Sequence, residues 1–197
     1  LYETVINDLR SKNFDIVSVE YKDYRILSVR VSAQRLAELA LLPFVEYVEA
    51  VPGEDMPLSP VWTNWGRDGV RSSILTAPIS QGGKNLKGSG VVVGVGDNAD
   101  FQLHTDFTNR LINRADAPSN YHGTHVAGII SGAGIINELR TGFAPKATIL
   151  SQVFHKVFAN APAYVADHGM VITNNSYGND ISDCNTFGLY DLYSKIL

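Results

Sequence analysis

The sequence predicts an α/β domain built on a parallel sheet, preceded by a small α+β unit. Three observations predict it. Val91–Gly96 is an unbroken run of valine and glycine, which is how a strand buried on both faces reads. From there on, apolar strands alternate with helical patterns, the order that gives parallel strands joined by crossovers. Ahead of it, residues 1–51 read as helix, strand, strand, helix, strand, and residues 52–60 hold three prolines and a glycine, the best linker in the chain. The expected domains are therefore 1–57 and 58–197.

Composition narrows the class. Apolar residues are 45% and charged residues 18% of the 197, which suits a globular protein with a sizeable core and excludes a disordered one. The net charge is −4 and no basic block is present, so nucleic acid is not an expected partner. Residues 1–58 hold six Lys/Arg against ten Asp/Glu, whereas 59–197 hold ten of each, an asymmetry that fits two units. Cys184 is the single cysteine, so the chain forms no internal disulfide, and the thiol reads as inert or partly buried. No apolar run nears the ~18 residues that span a bilayer, so no membrane partner is expected. The chain starts Leu1-Tyr2-Glu3, without Met or a signal-peptide core, so the compartment is not legible directly.

In order, Leu1, Val5, Ile6 and Leu9 recur at helical spacing over residues 1–12. Residues 14–21 and 24–31 are β-rich around Lys22-Asp23, a hairpin pattern. Ser32 is an N-cap for a helix to about Leu42, which Pro43 ends, and Val45–Val51 is expected as a third strand. Helices on one face of a sheet make this unit ferredoxin-like but for a first strand. Residues 61–90 read mostly as loop, with a short helix near Arg67–Ile74. After the Val91–Gly96 strand, a helix runs from His122 through Val126, Ile129 and Ile130. Thr148–Phe154 is the next strand, Ala161–His168 a helix, and Met170–Gly178 a third buried strand with a polar exit. Residues 188–197, with Leu189, Leu192, Tyr193 and Ile196, are amphipathic.

Sheets of this kind carry their sites beyond the carboxyl ends of the strands, where Asp97 and Ser176 both fall. A buried carboxylate that accepts from one ring nitrogen of a histidine sets its tautomer and stabilises the imidazolium formed at the other. Asp97 and His122 suit those roles; taken singly, each reads as a turn residue and a helix cap.

The motifs around them carry a resemblance. The strand ending at Asp97, the run His122-Gly123-Thr124-His125-Val126-Ala127-Gly128, the segment Gly142-Phe143-Ala144-Pro145 and the strand entering Ser176-Tyr177-Gly178 together resemble the subtilisin-like serine proteases. The resemblance spans residues 91–178 and implies a subtilisin-like α/β fold and a serine endopeptidase acting on polypeptides. It implies catalytic roles for Asp97 and His122 but not His125, and substrate-backbone binding by Ser176, Tyr177 and Gly178. Tyr177 reads as a wall of the cleft, with a plain core tyrosine as the competing reading. The resemblance further implies a ferredoxin-like propeptide at 1–57 whose tail blocks the cleft, a zymogen, and secretion or a cell-surface location.

The chain departs from the pattern in four places. Asn98-Ala99-Asp100 stands where the family has Ser or Thr and then Gly, which leaves Asp100 as a competitor of Asp97. The connection between Phe154 and Ala161 is short, so the groove wall there differs. Gly132–Arg140, where a calcium loop often lies, offers Asn137 and Glu138 alone as side-chain oxygens, so structural calcium is not assignable and no cofactor is expected. No Gly-Thr-Ser-x-Ala nucleophile segment occurs, nor an oxyanion-hole Asn, a role Asn174 and Asn175 do not take. The chain alone is thus expected to be inactive. Its expected partner is the missing C-terminal half of the catalytic domain, as the rest of the polypeptide or as an associated fragment.

Other readings fit less well. Gly94-Val95-Gly96-Asp97-Asn98-Ala99 has a dinucleotide-like spacing with Asp116 downstream, but Asp97 would face a pyrophosphate and a poor helix follows. His122 and His125 lack a third zinc ligand at convincing spacing. The alternative from another class is a non-catalytic, protease-related binding or inhibitory module.

Overall fold

The computed structural model describes residues 2–51, 53, 55–57, 66–98, 101, 104–118, 120–179 and 190–196. Of the sequence expectations, those on Asp100, Cys184 and Leu189 lie outside the described residues. The described residues fall into two compact units, one within 1–53 and 181–197, the other within 54–180.

The first unit is small. Helix α1 (Tyr2–Ser11) buries Ile6 and Leu9, as its spacing predicts. Strands β1 (Asp15–Ser18) and β2 (Ser28–Arg30) form the expected antiparallel hairpin, and α2 (Leu36–Ala40) follows a single 3₁₀ turn after Ser32. Leu9, Phe14 and Leu39 form its core. Arg35 ties the elements together: it forks onto Glu38, donates to the Lys12 and Asn13 carbonyls, and lies 4.3 Å over the Phe14 ring. The expected strand Val45–Val51 is absent, since residues 45–51 carry no regular structure. Val48 packs on the core without a hydrogen-bonded ladder. In the same unit the short helix Leu192–Ile196 starts with the Leu192 N–H donating to the Glu49 carboxylate, 3.0 and 3.2 Å from its two oxygens.

The second unit is the α/β domain. It contains β3 (Asp55–Pro57), the short helices α3 (Gly66–Gly69) and α4 (Ser73–Thr76), β4 (Val92–Asp97), β5 (Leu111–Asn113), α5 (Tyr121–Ser131) and β6 (Thr148–Val153). It continues through α6 (Lys156–Ala159), α7 (Ala161–His168), β7 (Met170–Asn175) and β8 (Tyr177–Asn179). A four-stranded sheet runs β5-β6-β4-β7 with every pairing parallel, as the alternation of elements predicts. A separate antiparallel pair joins β3 to β8.

Both faces of the central strands β4 and β6 are covered, and β4 shows how. Side chains alternate along a strand, so Val93 and Val95 enter one core with Phe101, Phe107, Val126, Ala127 and Ile149. On the opposite face Leu150 of β6 packs with Val157, Tyr164 and Met170. Gly94 and Gly96 of β4 face this second side. A Cβ on Gly94 would lie 2.5 Å from Met170 Sδ and 3.0 Å from Val157 Cγ2, so the missing side chains let α6 and β7 approach β4 closely. The same alternation puts Asp97 on the α5 side.

Three details differ from the sequence expectations. β5 and α6 are four residues or fewer, too short for a periodic pattern to reveal. Met170–Gly178 is not one strand but two, divided at Ser176. Nor is β7 buried on both faces: it is the edge of the described sheet, and Val171 and Ile172 are 72% and 57% exposed.

Leu150 is fully enclosed between β6, α6 and α7. Leu150→Ala should cost about 2–5 kcal/mol. A urea titration checks this through a lowered midpoint at unchanged slope.

Candidate active site

The carboxyl ends of β4, β6 and β7 meet at one edge of the sheet. Asp97 pairs in register with Val153 of β6, and Gly96 with Asn175 of β7, so Asp97, Phe154 and Ser176 leave the sheet side by side. Asp97 is fully buried (0% exposed) and His122 nearly so (5%). Asp97 Oδ1 accepts from the Asn98 backbone N–H at 2.7 Å and lies 2.9 Å from His122 Nδ1. With Asp97 as the carboxylate, Nδ1 is the donor, and Nε2 keeps its lone pair free to accept a proton. Asp97 Oδ2 is buried without a hydrogen-bond partner among the described residues.

α5 carries His122, and both of its ends are held. Asn120 is the N-cap: its Oδ1 accepts from the His122 N–H at 2.9 Å, and its carbonyl accepts from Thr124 Oγ1 at 2.8 Å. At the other end the Gly142-Phe143-Ala144 segment donates backbone N–H groups to the carbonyls of Gly132, Ile129 and Ile130. A Cβ on Gly142 would sit 2.6 Å from the Gly128 carbonyl oxygen, which explains the glycine there. Arg110 closes the same end. Its guanidinium donates to Ser131 Oγ and to the carbonyls of Asp106, Ser131 and Ala147. Burial pushes its pKa down, partly offset by Asp106. A cation at a helix C-terminus also complements the helix dipole.

His125, one turn after His122, is exposed, so the two histidines do not converge. Among the described residues no group of three or more His, Cys, Asp or Glu could hold a metal. In the 132–140 stretch, Asn137 Oδ1 caps the turn Glu138–Arg140, and the Asp106 carboxylate accepts from the Gly134 and Ile135 N–H groups. The next described element after β4 is the 3₁₀ turn Thr105–Phe107, not the long helix a dinucleotide site opens.

Ser176 is the connection from β7 into β8, and Tyr177 and Gly178 are the first two residues of β8. Asn174 Nδ2 donates to Ser176 Oγ at 2.9 Å, and the Tyr177 ring packs edge-on against Phe154, with centroids 5.4 Å apart. Phe154 has φ +40°, a left-handed conformation unusual for a bulky residue. Its N–H donates to the Asp97 carbonyl at 3.0 Å. Its own carbonyl would lie 2.5 Å from a Cβ on Gly96, so the glycine is what admits it.

β8 is not a bare edge. Asp55, Met56 and Pro57 pair with Asn179, Gly178 and Tyr177. The sequence reading made residues 52–60 a linker, and three residues with a terminal proline give no alternation to read. The Asp55 carboxylate meets His155 Nδ1 at 2.5 Å. Asn120, Phe154 and His155 were also not singled out from sequence. An Asn just ahead of an apolar helical pattern was the available signal for the first.

The chain matches the model of the subtilase family over residues 88–194. The chain belongs to this family. No curated protein matches it. Among solved structures it is similar to the epidermin leader peptide processing serine protease from Staphylococcus aureus (16% identity, TM-score 0.57, covering 90% of this chain and 48% of that one). It is also similar to fervidolysin from Fervidobacterium pennivorans, a keratinolytic enzyme related to subtilisin (18% identity, TM-score 0.51, 88% and 34%). A cold-adapted subtilisin-like serine proteinase matches a smaller part (26% identity, TM-score 0.34, 42% and 34%). The chain therefore spans about half or less of these proteins, and the fold it shares with the first two is the subtilisin-like α/β fold.

The Asp97–His122 geometry predicts a single neutral tautomer. Nitrogen-edited NMR of the ring should show His122 protonated at Nδ1 and bare at Nε2. Asp97→Ala should release it to a tautomer mixture; an unchanged spectrum would contradict the pairing.

Proposed function

We propose that the protein is a subtilisin-like serine endopeptidase in which this chain supplies the acid and the base. The observation that carries the reading is the buried 2.9 Å contact between Asp97 and His122 at the carboxyl edge of the sheet, beside Ser176. His122 Nε2 takes the proton of a serine hydroxyl as it attacks the scissile carbonyl, then returns it to the leaving amine. Asp97 holds the ring and stabilises its charged form. The serine comes from a segment outside these 197 residues, since they hold no Gly-Thr-Ser-x-Ala run.

Ser176, Tyr177 and Gly178 receive the substrate as an added antiparallel strand. The pairing of Asp55–Pro57 with β8 supports this, because it is that mode of binding made by the chain itself. On this reading residues 1–57 act as a propeptide whose tail occupies the cleft of a zymogen. The enzyme is secreted or displayed at the cell surface.

That same pairing also favours a second reading, a non-catalytic inhibitory module whose edge is permanently closed. The two differ in the sequence that accompanies this chain: a Gly-Thr-Ser segment there supports the enzyme.

In the complete protein, His122→Ala should lower kcat/KM on a peptide substrate about 10⁴-fold or more. Undiminished hydrolysis by this variant would sink the assignment.

A further inference from the structure

The proposed cleft has a feature its backbone pairing does not require. Asp55 and Met56 occupy consecutive positions on β3, and their side chains part company. Met56 is 45% exposed, whereas the Asp55 carboxylate is 11% exposed and meets His155 Nδ1 at 2.5 Å. Backbone pairing with β8 holds any sequence; this side-chain contact reads one.

His155 is also well placed to read it. It follows Phe154, which is fixed by its N–H to the Asp97 carbonyl and by its ring against Tyr177. The His155 carbonyl accepts from the Phe158 and Ala159 N–H groups at 2.9 and 3.3 Å, so its backbone begins α6. The imidazole is half-buried, 34% exposed, against the Asp55 carboxylate. It hangs from the same short connection that carries Phe154 away from Asp97. That connection is one turn of helix, and the side chain of its N-cap residue meets the strand lying on β8.

We infer that His155 is a specificity-determining residue that selects an acidic side chain in the substrate, at the position opposite Asn179. The direction of the strand places that position. β3 runs antiparallel to β8, from Asn179 towards Tyr177, and Tyr177 is the end of β8 nearer Asp97 and His122. The selected residue therefore lies on the N-terminal side of the scissile bond, two residues before the one opposite Tyr177. The substrate class is an extended polypeptide of the form (Asp or Glu)-x-x followed by the cleaved region, and Asp55-Met56-Pro57 is the chain's own copy of it. The inference rests on the proposed role of the Ser176–Gly178 edge.

The test uses the complete protein after the cut that releases residues 1–57 from β8, with four peptides that keep the order X-Met-Pro, X being Asp, Asn, Ala or Lys. Hydrolysis is followed for each, and binding of a fluorescent Asp peptide is followed by anisotropy with the other three as competitors. A charge-assisted contact of this kind should favour Asp over Ala by about tenfold or more in kcat/KM and in binding. In His155→Ala the Asp/Ala ratio should fall to about one, and His155→Glu should invert it in favour of Lys. A flat series in the parent protein, or a ratio unchanged by either variant, overturns the inference while leaving the peptidase assignment intact. Asp-selective binding without hydrolysis supports the inference and sinks the peptidase assignment instead.

Discussion

A carboxylate taken wholly out of water must be paired, and that requirement organises the domain. Asp97 ends a strand covered on both faces and is fully buried. Burying a lone charge is costly enough that the group would neutralise instead. Its partner, His122, has to arrive from another element at hydrogen-bonding distance. Everything that fixes α5 against the sheet, from the Asn120 cap to the Arg110 guanidinium, contributes to meeting that one distance. Stability and site geometry are therefore not separate properties of this fold. The residues that end the helix correctly are the ones that aim the imidazole.

The same logic explains why much of the site was legible in the sequence. Val93, Val95 and Asp97 share a face because a strand has period two, so the side on which Asp97 emerges is already written in the valine spacing. The histidine run then supplies a helix whose first turn carries His122. The parallel sheet and α7 followed from the pattern for the same reason: they are long enough to repeat. What escaped was short or mute. β5, α6 and β3 run for three or four residues. Residues 45–51 are valine-rich as a strand is but form no ladder, because Val48 packs on the core without a partner strand. The pairing of Asp55–Pro57 with β8 depends on main-chain groups, which leave no side-chain signature.

Glycines do unequal work here. Gly96 is needed because the Phe154 carbonyl occupies the space a side chain would fill, and Phe154 in turn carries the left-handed turn that releases the chain from β6. Gly142 is needed because Gly128 and Gly132 crowd it at the end of α5. Gly96 sits against the point where the chain leaves β6 for α6, and Gly142 at the end of the helix that bears His122. Such positions tolerate change poorly even though neither residue carries a side chain of its own.

The strand on β8 has a kinetic consequence. A segment joined covalently to the edge it covers competes at an effective concentration in the millimolar range or above. A free peptide with the same contacts would have to be present at comparable levels to displace it. One cut that frees the segment converts that contest into an ordinary bimolecular one, without altering a single contact in the cleft. On the proposed reading, access to the edge is governed by chain connectivity more than by the strength with which Asp55, Met56 and Pro57 are held.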